Sequence, residues 1–177
     1  DELEDFYGSL GDIYKDNVDI IMCESMSSIF EGSNASRVAK EFSERVWLSW
    51  TNRGHQPDQL PSTEALSKAV DFSIEADVEC TLINCSHADM ASNSIKELKR
   101  ASRFGIFANS STFKEVDLSI ATKDVDAIHH LNSEKISAKE YAMIALSWAK
   151  EGAYVVGGCC GTTVEHTREI KLLMDSL

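Results

Sequence analysis

Apolar residues along this chain gather in short, nearly unbroken blocks, separated by longer stretches with room for helices. The blocks are Val18–Cys23 (VDIIMC), Val46–Thr51 (VWLSWT), Cys80–Cys85 (CTLINC), Phe104–Asn109 (FGIFAN) and Ala153–Gly158 (AYVVGG). Their near-continuous hydrophobicity predicts strands covered on both faces, as in a parallel sheet. Helices are predicted at Glu2–Lys15, Glu31–Ser43, Ser62–Glu75 and Ala91–Arg103. Two capping-box patterns, Ser137-Ala-Lys-Glu140 and Thr162-Thr-Val-Glu165, open two more. The resulting order alternates helix and strand, which calls for right-handed crossovers in an α/β fold. Both prolines, Pro57 and Pro61, sit in the loop after the second block. Ser110–Lys135 is long, polar and weakly periodic, and reads as a surface excursion with room for a short helix.

Five βα units do not close a (β/α)8 barrel, which takes about 250 residues. The pattern therefore leaves two architectures: an open sheet, or most of a barrel without its first strands. At 177 residues the chain fits a single domain over 1–177. Hydrophobic residues make up 43% and charged residues 26%, as in an ordinary globular protein. A net charge of −12 argues against nucleic acid or an anionic membrane as partner, because little would neutralise phosphates. No apolar run approaches the roughly 20 residues of a membrane span.

Chemistry enters with the cysteines. There are five, an odd number, and their spacing is not that of a secreted disulfide scaffold. Reduced thiols in a cytoplasmic protein are the expected state. Cys85 ends the third block, and the adjacent Cys159 and Cys160 follow the fifth. In parallel α/β folds the loops at the strand ends carry the chemistry. Three thiols brought together there would form a soft, anionic metal site with one coordination position open. The plain alternative is three buried cysteines serving as small apolar residues. Cys80 lies five residues before Cys85, ~16 Å away along a strand, and is expected to be inert core. Cys23 is expected to point away from the site.

Several segments together resemble the homocysteine S-methyltransferase family. They are Gly157-Gly-Cys-Cys-Gly-Thr162 before a helix, Ile83-Asn84-Cys85 at a strand end, Asp19-Ile-Ile-Met-Cys-Glu24-Ser25, Val46-Trp-Leu-Ser49, and Gly105-Ile-Phe-Ala-Asn109-Ser110. The resemblance implies a (β/α)8 barrel of the TIM type, with these blocks as its strands four to eight and the first three without counterpart. Departures are small: Ser25 stands for the usual Thr and Val164 for the usual Pro, while His166 is retained.

What the resemblance implies about the site is specific. Cys85, Cys159 and Cys160 are the expected ligands of Zn2+, whose fourth position takes the homocysteine thiol. Glu24 is the expected receiver of the substrate's α-ammonium group, a fitting charge pair. Gly157 and Gly158 would let the backbone approach metal and substrate closely, or simply make a tight turn. Asn109 is a substrate-binding candidate, although it, Asn84 and Ser49 also suit loop-holding hydrogen bonds. His87 and His166 suit capping, surface or metal-supporting positions, and Trp47, Trp50 and Trp148 suit packing. The paired His129 and His130 carry little signal.

The implied reaction transfers a methyl group from a small-molecule donor to homocysteine, giving methionine. S-methylmethionine and S-adenosylmethionine suit a stand-alone domain; betaine, or methylfolate through cobalamin, are the other family donors. The alternative is a half-barrel that binds zinc without turnover. Its exposed strand edges would predict self-association or a partner that completes the barrel.

Overall fold

The computed structural model describes residues 2–54, 56–113 and 133–176. The elements run α1 (Glu2–Tyr14), β1 (Ile21–Met26), α2 (Ile29–Phe42), β2 (Val46–Trp50), α3 (Leu66–Glu75), β3 (Cys80–His87), α4 (Ala88–Asn93) and α5 (Ile95–Leu98). There follow β4 (Phe104–Asn109), β5 (Ser111–Phe113), β6 (Ser133–Lys135), α6 (Ala138–Lys150), β7 (Val155–Gly158) and α7 (Val164–Met174). Five of these strands form one parallel sheet in the order β1-β2-β3-β4-β7, and the described residues do not close it into a barrel. No described helix is long and apolar enough to cross a membrane.

Parallel pairing with a helix between successive strands puts every strand start on one rim of the sheet and every strand end on the other. One face packs under the helices. Leu48, Trp50, Ile83, Ile106 and Ala108 of the sheet meet Leu66, Ala69 and Val70 of α3, Leu98 of α5, and Tyr141, Ala145 and Trp148 of α6. Each large aliphatic side chain so buried contributes roughly 1.5–3 kcal/mol. Trp50 and Trp148 are fully buried, and their indole N–H groups donate to Ser73 Oγ and Ser92 Oγ. The ring of Trp47 meets Tyr154 edge-on. All three tryptophans are packing residues.

The structure departs from the sequence pattern where side chains intervene. β1 starts at Ile21 rather than Val18, because Asp16 turns the chain with φ 63° and Val18 is exposed. It also runs past Cys23 to Met26. Its register with β2 slips by one residue between Cys23 and Met26, a bulge that apolar patterning does not reveal. The helix expected from Ser62 starts at Leu66, since Thr63 has φ 74° and Leu60 N–H donates to Glu64 O in a turn. The helix expected over 91–103 is two short pieces meeting at Ser94. The hydroxyl of Ser94 donates to Pro57 O and accepts from Asn52 Nδ2, tethering the loop after β2. The cap of α7 is Thr163 rather than Thr162, and its box partner is His166, whose Nδ1 accepts the Thr163 N–H. At the ends of the polar excursion, β5 and β6 pair antiparallel. The short helix expected within it, and His129 and His130, lie outside the described residues.

Candidate metal centre

The strand-end rim brings Cys85 together with Cys159 and Cys160. Their sulfur atoms all lie within 4.8 Å of one another, and the Cys85 and Cys160 sulfurs are 3.6 Å apart. No disulfide links them. Two thiolates bound at about 2.3 Å to one tetrahedral zinc stand roughly 3.8 Å apart, so this spacing fits a shared ion. Cys85 and Cys159 are half-buried and Cys160 is exposed, which leaves the cluster open on one side.

Local backbone geometry aims these sulfurs. Cys85 is left-handed at φ 53° and lies where β3 slips against β4, between Asn84 and His87. A non-glycine residue held there costs roughly 1–3 kcal/mol and persists only when its surroundings over-determine it. The residue before it, Asn84, is 2% exposed. Its Oδ1 accepts from Ser25 N–H at 2.9 Å and from the Ser49 hydroxyl at 2.6 Å, and its Nδ2 donates to Ser25 Oγ at 2.8 Å. Ser25 is itself left-handed, at φ 59°, in the β1 bulge.

The Cys159–Gly161 turn is held from β4. Cys159 N–H donates to Ala108 O, and Ser110 N–H donates to Cys160 O. Asn109 Oδ1 accepts the Cys160 N–H at 3.1 Å, so this carboxamide oxygen braces the turn. Gly161 has φ 78°, and a Cβ there would meet Ser110 Oγ at 2.7 Å. Gly157 and Gly158 give room to Phe107 and Thr162, whose side chains a Cβ at those positions would strike at 2.9 and 2.5 Å.

Tyr141 of α6 supports the same turn from beneath. Fully buried, its hydroxyl reaches Ala108 O at 2.7 Å and Gly157 O at 2.8 Å. Burial and the nearby Cys159 charge push its pKa well up, which keeps it a donor. Sequence reasoning missed it. The signal was there: Tyr141, Ala142, Ala145 and Trp148 form a helical core stripe in which a tyrosine alone carries a polar head.

Cys85 and Cys159 are shifted in opposite directions. Cys159 is lowered to about 6, chiefly because its thiolate accepts a hydrogen bond from the Cys85 thiol, helped by the backbone N–H groups of Cys160 and Cys85. Cys85 is pushed far up by the same shared hydrogen bond and by burial. The hydrogen bond they share favours one thiolate between these two thiols, and metal ligation by cysteine likewise requires the thiolate form. Burial pushes Cys80 to about 12 and Cys23 to about 11, and neither joins the cluster.

The other candidates lie around this centre. Glu24 is exposed in the β1 bulge, outside the thiol cluster. It lines a cavity of about 560 Å³ between α1, α2 and the β1 edge, shared with Tyr7, Ile21, Met22 and Cys23 and with none of the three clustered cysteines. His87 is buried, with Nδ1 2.9 Å from Ser111 Oγ. His166 caps α7 and stacks edge-on against Tyr141.

Comparison with known proteins places this rim in context. The homocysteine S-methyltransferase family model matches residues 1–174. Homocysteine S-methyltransferase YbgG of Bacillus subtilis (strain 168) is 25% identical over 181 residues, across all of this chain and 54% of its own length. The homocysteine methyltransferase MmuM from Escherichia coli has a similar fold. Its apo form gives a TM-score of 0.66 at 17% identity, covering 96% of this chain and 57% of that one. Its metallated form gives 0.65 at 16% identity, covering 96% and 52%. The chain thus spans about half the length of the relatives it matches, and its open sheet corresponds to part of their fold. With a matching model over nearly its whole length, the chain belongs to the homocysteine S-methyltransferase family.

Proposed function

We propose that this chain carries the thiol-activating part of an enzyme that moves a methyl group from an activated donor, such as S-methylmethionine or S-adenosylmethionine, to the sulfur of homocysteine, giving methionine. The observation that supports this best is the convergence of Cys85, Cys159 and Cys160 on the strand-end rim of a chain in this family. These cysteines would hold Zn2+ as three thiolates. When bound, the ion lowers the pKa of the substrate thiol, about 8.5 when free, so that it is ionised at neutral pH. The three cysteine thiolates would carry one more negative charge than the ion neutralises, which would keep a bound sulfur electron-rich. Exposed Cys160 leaves the approach to that sulfur open. Glu24 receives the α-ammonium group as a carboxylate acceptor. Asn109 and Tyr141 keep the Cys159–Gly161 turn fixed while the methyl group is transferred.

Elemental analysis of the chain and its Cys85→Ser variant tests the metal reading. We expect about one zinc per chain, lost in the variant. Methionine formation from homocysteine with a panel of donors then tests the reaction. Absence of zinc from both proteins would overturn the proposal for this chain.

A second reading follows from the open sheet, whose β1 edge faces the α1 cavity. In it the chain binds zinc without turnover until a partner, or a second copy, covers the free strand edges. Light scattering separates the two: a monodisperse monomer that turns over would dismiss the second reading.

A further inference from the structure

We propose that Asn84 is a positioning residue that locks the Cys85 sulfur to the end of β1, so that the metal rim and the Glu24 strand end are held as one unit. The sheet order places β2 between β1 and β3, yet the Asn84 carboxamide spans that gap. It meets Ser49 on β2 and both the N–H and Oγ of Ser25 on β1. Ser25 follows Glu24 directly, and Cys85 follows Asn84 directly. Both following residues are left-handed, and both lie in one-residue slips of strand register. A left-handed serine and a left-handed cysteine on separate strands are thus fixed by one side chain. At 2% exposure that side chain has no water to replace a lost partner. An amide suits the post because it offers an acceptor to two donors and a donor to one acceptor at the same time. A leucine of similar size would fill the space and make none of these bonds.

This inference rests on the metal reading above only for its metal readout. The experiment uses the full chain, with Asn84→Leu, Ser25→Ala and the double variant, and two measurements beside a melting curve. The first, on metal-free protein, is the yield of a short thiol–thiol cross-link from Cys85 to Cys159 or Cys160, mapped by mass spectrometry. The second is Co2+ affinity, with the intensity of the thiolate-to-cobalt absorption band. We expect Asn84→Leu to lower the cross-link yield, weaken Co2+ binding by about tenfold to a hundredfold, and dim the band. Ser25→Ala should act in the same direction from another strand, and the double variant should be no worse than Asn84→Leu alone, since both break one network.

Unchanged cross-linking and Co2+ binding in Asn84→Leu would overturn the proposal, whatever happens to its melting temperature. An Asn84→Leu effect with none from Ser25→Ala would overturn the coupling to β1. If Asn84→Leu does not fold, Ser25→Ala and Ser49→Ala leave Asn84 in place and decide the same question. If the unaltered chain binds no Co2+, the metal reading falls, and the cross-link yields still decide this one.

Discussion

The two rims of the sheet are built from the same strands and by opposite means. On the strand-start rim, the residues immediately before β2, β3, β4 and β7 are Arg45, Glu79, Arg103 and Tyr154. They form a ladder: Arg45 pairs bidentately with Glu79 at 2.8 and 2.9 Å, Arg103 meets the same carboxylate at 2.9 Å, and the Arg103 guanidinium lies 4.7 Å from the centre of the Tyr154 ring. On the strand-end rim the work is done by neutral amides and hydroxyls, most of them buried, at bends in the backbone. Exposed charges tolerate small displacements, because their attraction falls off slowly and water fills any gap. A buried amide holding a left-handed residue has one geometry. The first rim therefore serves folding, and the second serves placement of three sulfurs.

The largest effect should come from removing a sulfur. Cys160→Ser is expected to abolish stoichiometric zinc uptake, read by elemental analysis. Because Cys160 is exposed, the unfolding free energy of the metal-free chain should stay within about 0.5 kcal/mol of the unaltered protein. A large loss of metal-free stability would mean that the sulfurs also hold the fold, and the contrast between the rims would fail. Next in size is Gly161→Ala. Its φ of 78° and the Ser110 Oγ at 2.7 Å make an added methyl strained and crowded. We expect about 1–3 kcal/mol of destabilisation in urea melts, with weaker metal binding, because the turn carrying Cys160 must shift.

Tyr141→Phe asks how far the rim depends on support from below. The ring and its edge contacts with Trp148 and His166 remain, and only the hydroxyl goes. The Ala108 and Gly157 carbonyls then lose the single O–H they share, while Ala108 O keeps the Cys159 N–H, for about 1 kcal/mol in a denaturant melt. Metal affinity should fall modestly as Gly157 relaxes. Affinity unchanged beside a clear loss of stability would assign Tyr141 to the fold alone.

These targets also mark what a sequence shows and what it hides. The block Phe104–Asn109 coincides with β4, and Val46–Thr51 overshoots β2 by one residue, since burial writes itself as consecutive apolar letters. The β1 end was hidden because Glu24 and Ser25 break the apolar run where the strand bulges and continues. Cys85 and the Cys159–Cys160 pair were legible through family resemblance, and the structure brings their sulfurs together. Asn84 and Ser49 were legible as residues suited to loop-holding hydrogen bonds, and they do hold the strand ends, but their partners were not legible and Tyr141 was not singled out. Asn84 meets partners 35 and 59 residues away, and Tyr141 bonds to backbone carbonyls, for which no letter exists. Asn109 was legible as a strand-end residue, but the N–H it braces became visible only in three dimensions.

The smallest effect should come from the other rim, and metal uptake should not register it. Hydrogen bonding from Arg45, then the charges of Arg45 and Arg103, hold the Glu79 carboxyl below the usual carboxylate range. Its folded pKa is therefore below its unfolded one. The stabilisation is complete at neutral pH, above the unfolded value, and is lost as pH falls through the folded value. Glu79→Gln should accordingly lower the melting temperature slightly at neutral pH, and the gap to the unaltered chain should close in acid. Added salt should narrow the gap as well, since the Arg45 and Arg103 side chains are each 47% exposed. Zinc content at neutral pH should not change. If it drops in Glu79→Gln, the strand starts communicate with the sulfurs along β3, and the two rims are one device rather than two.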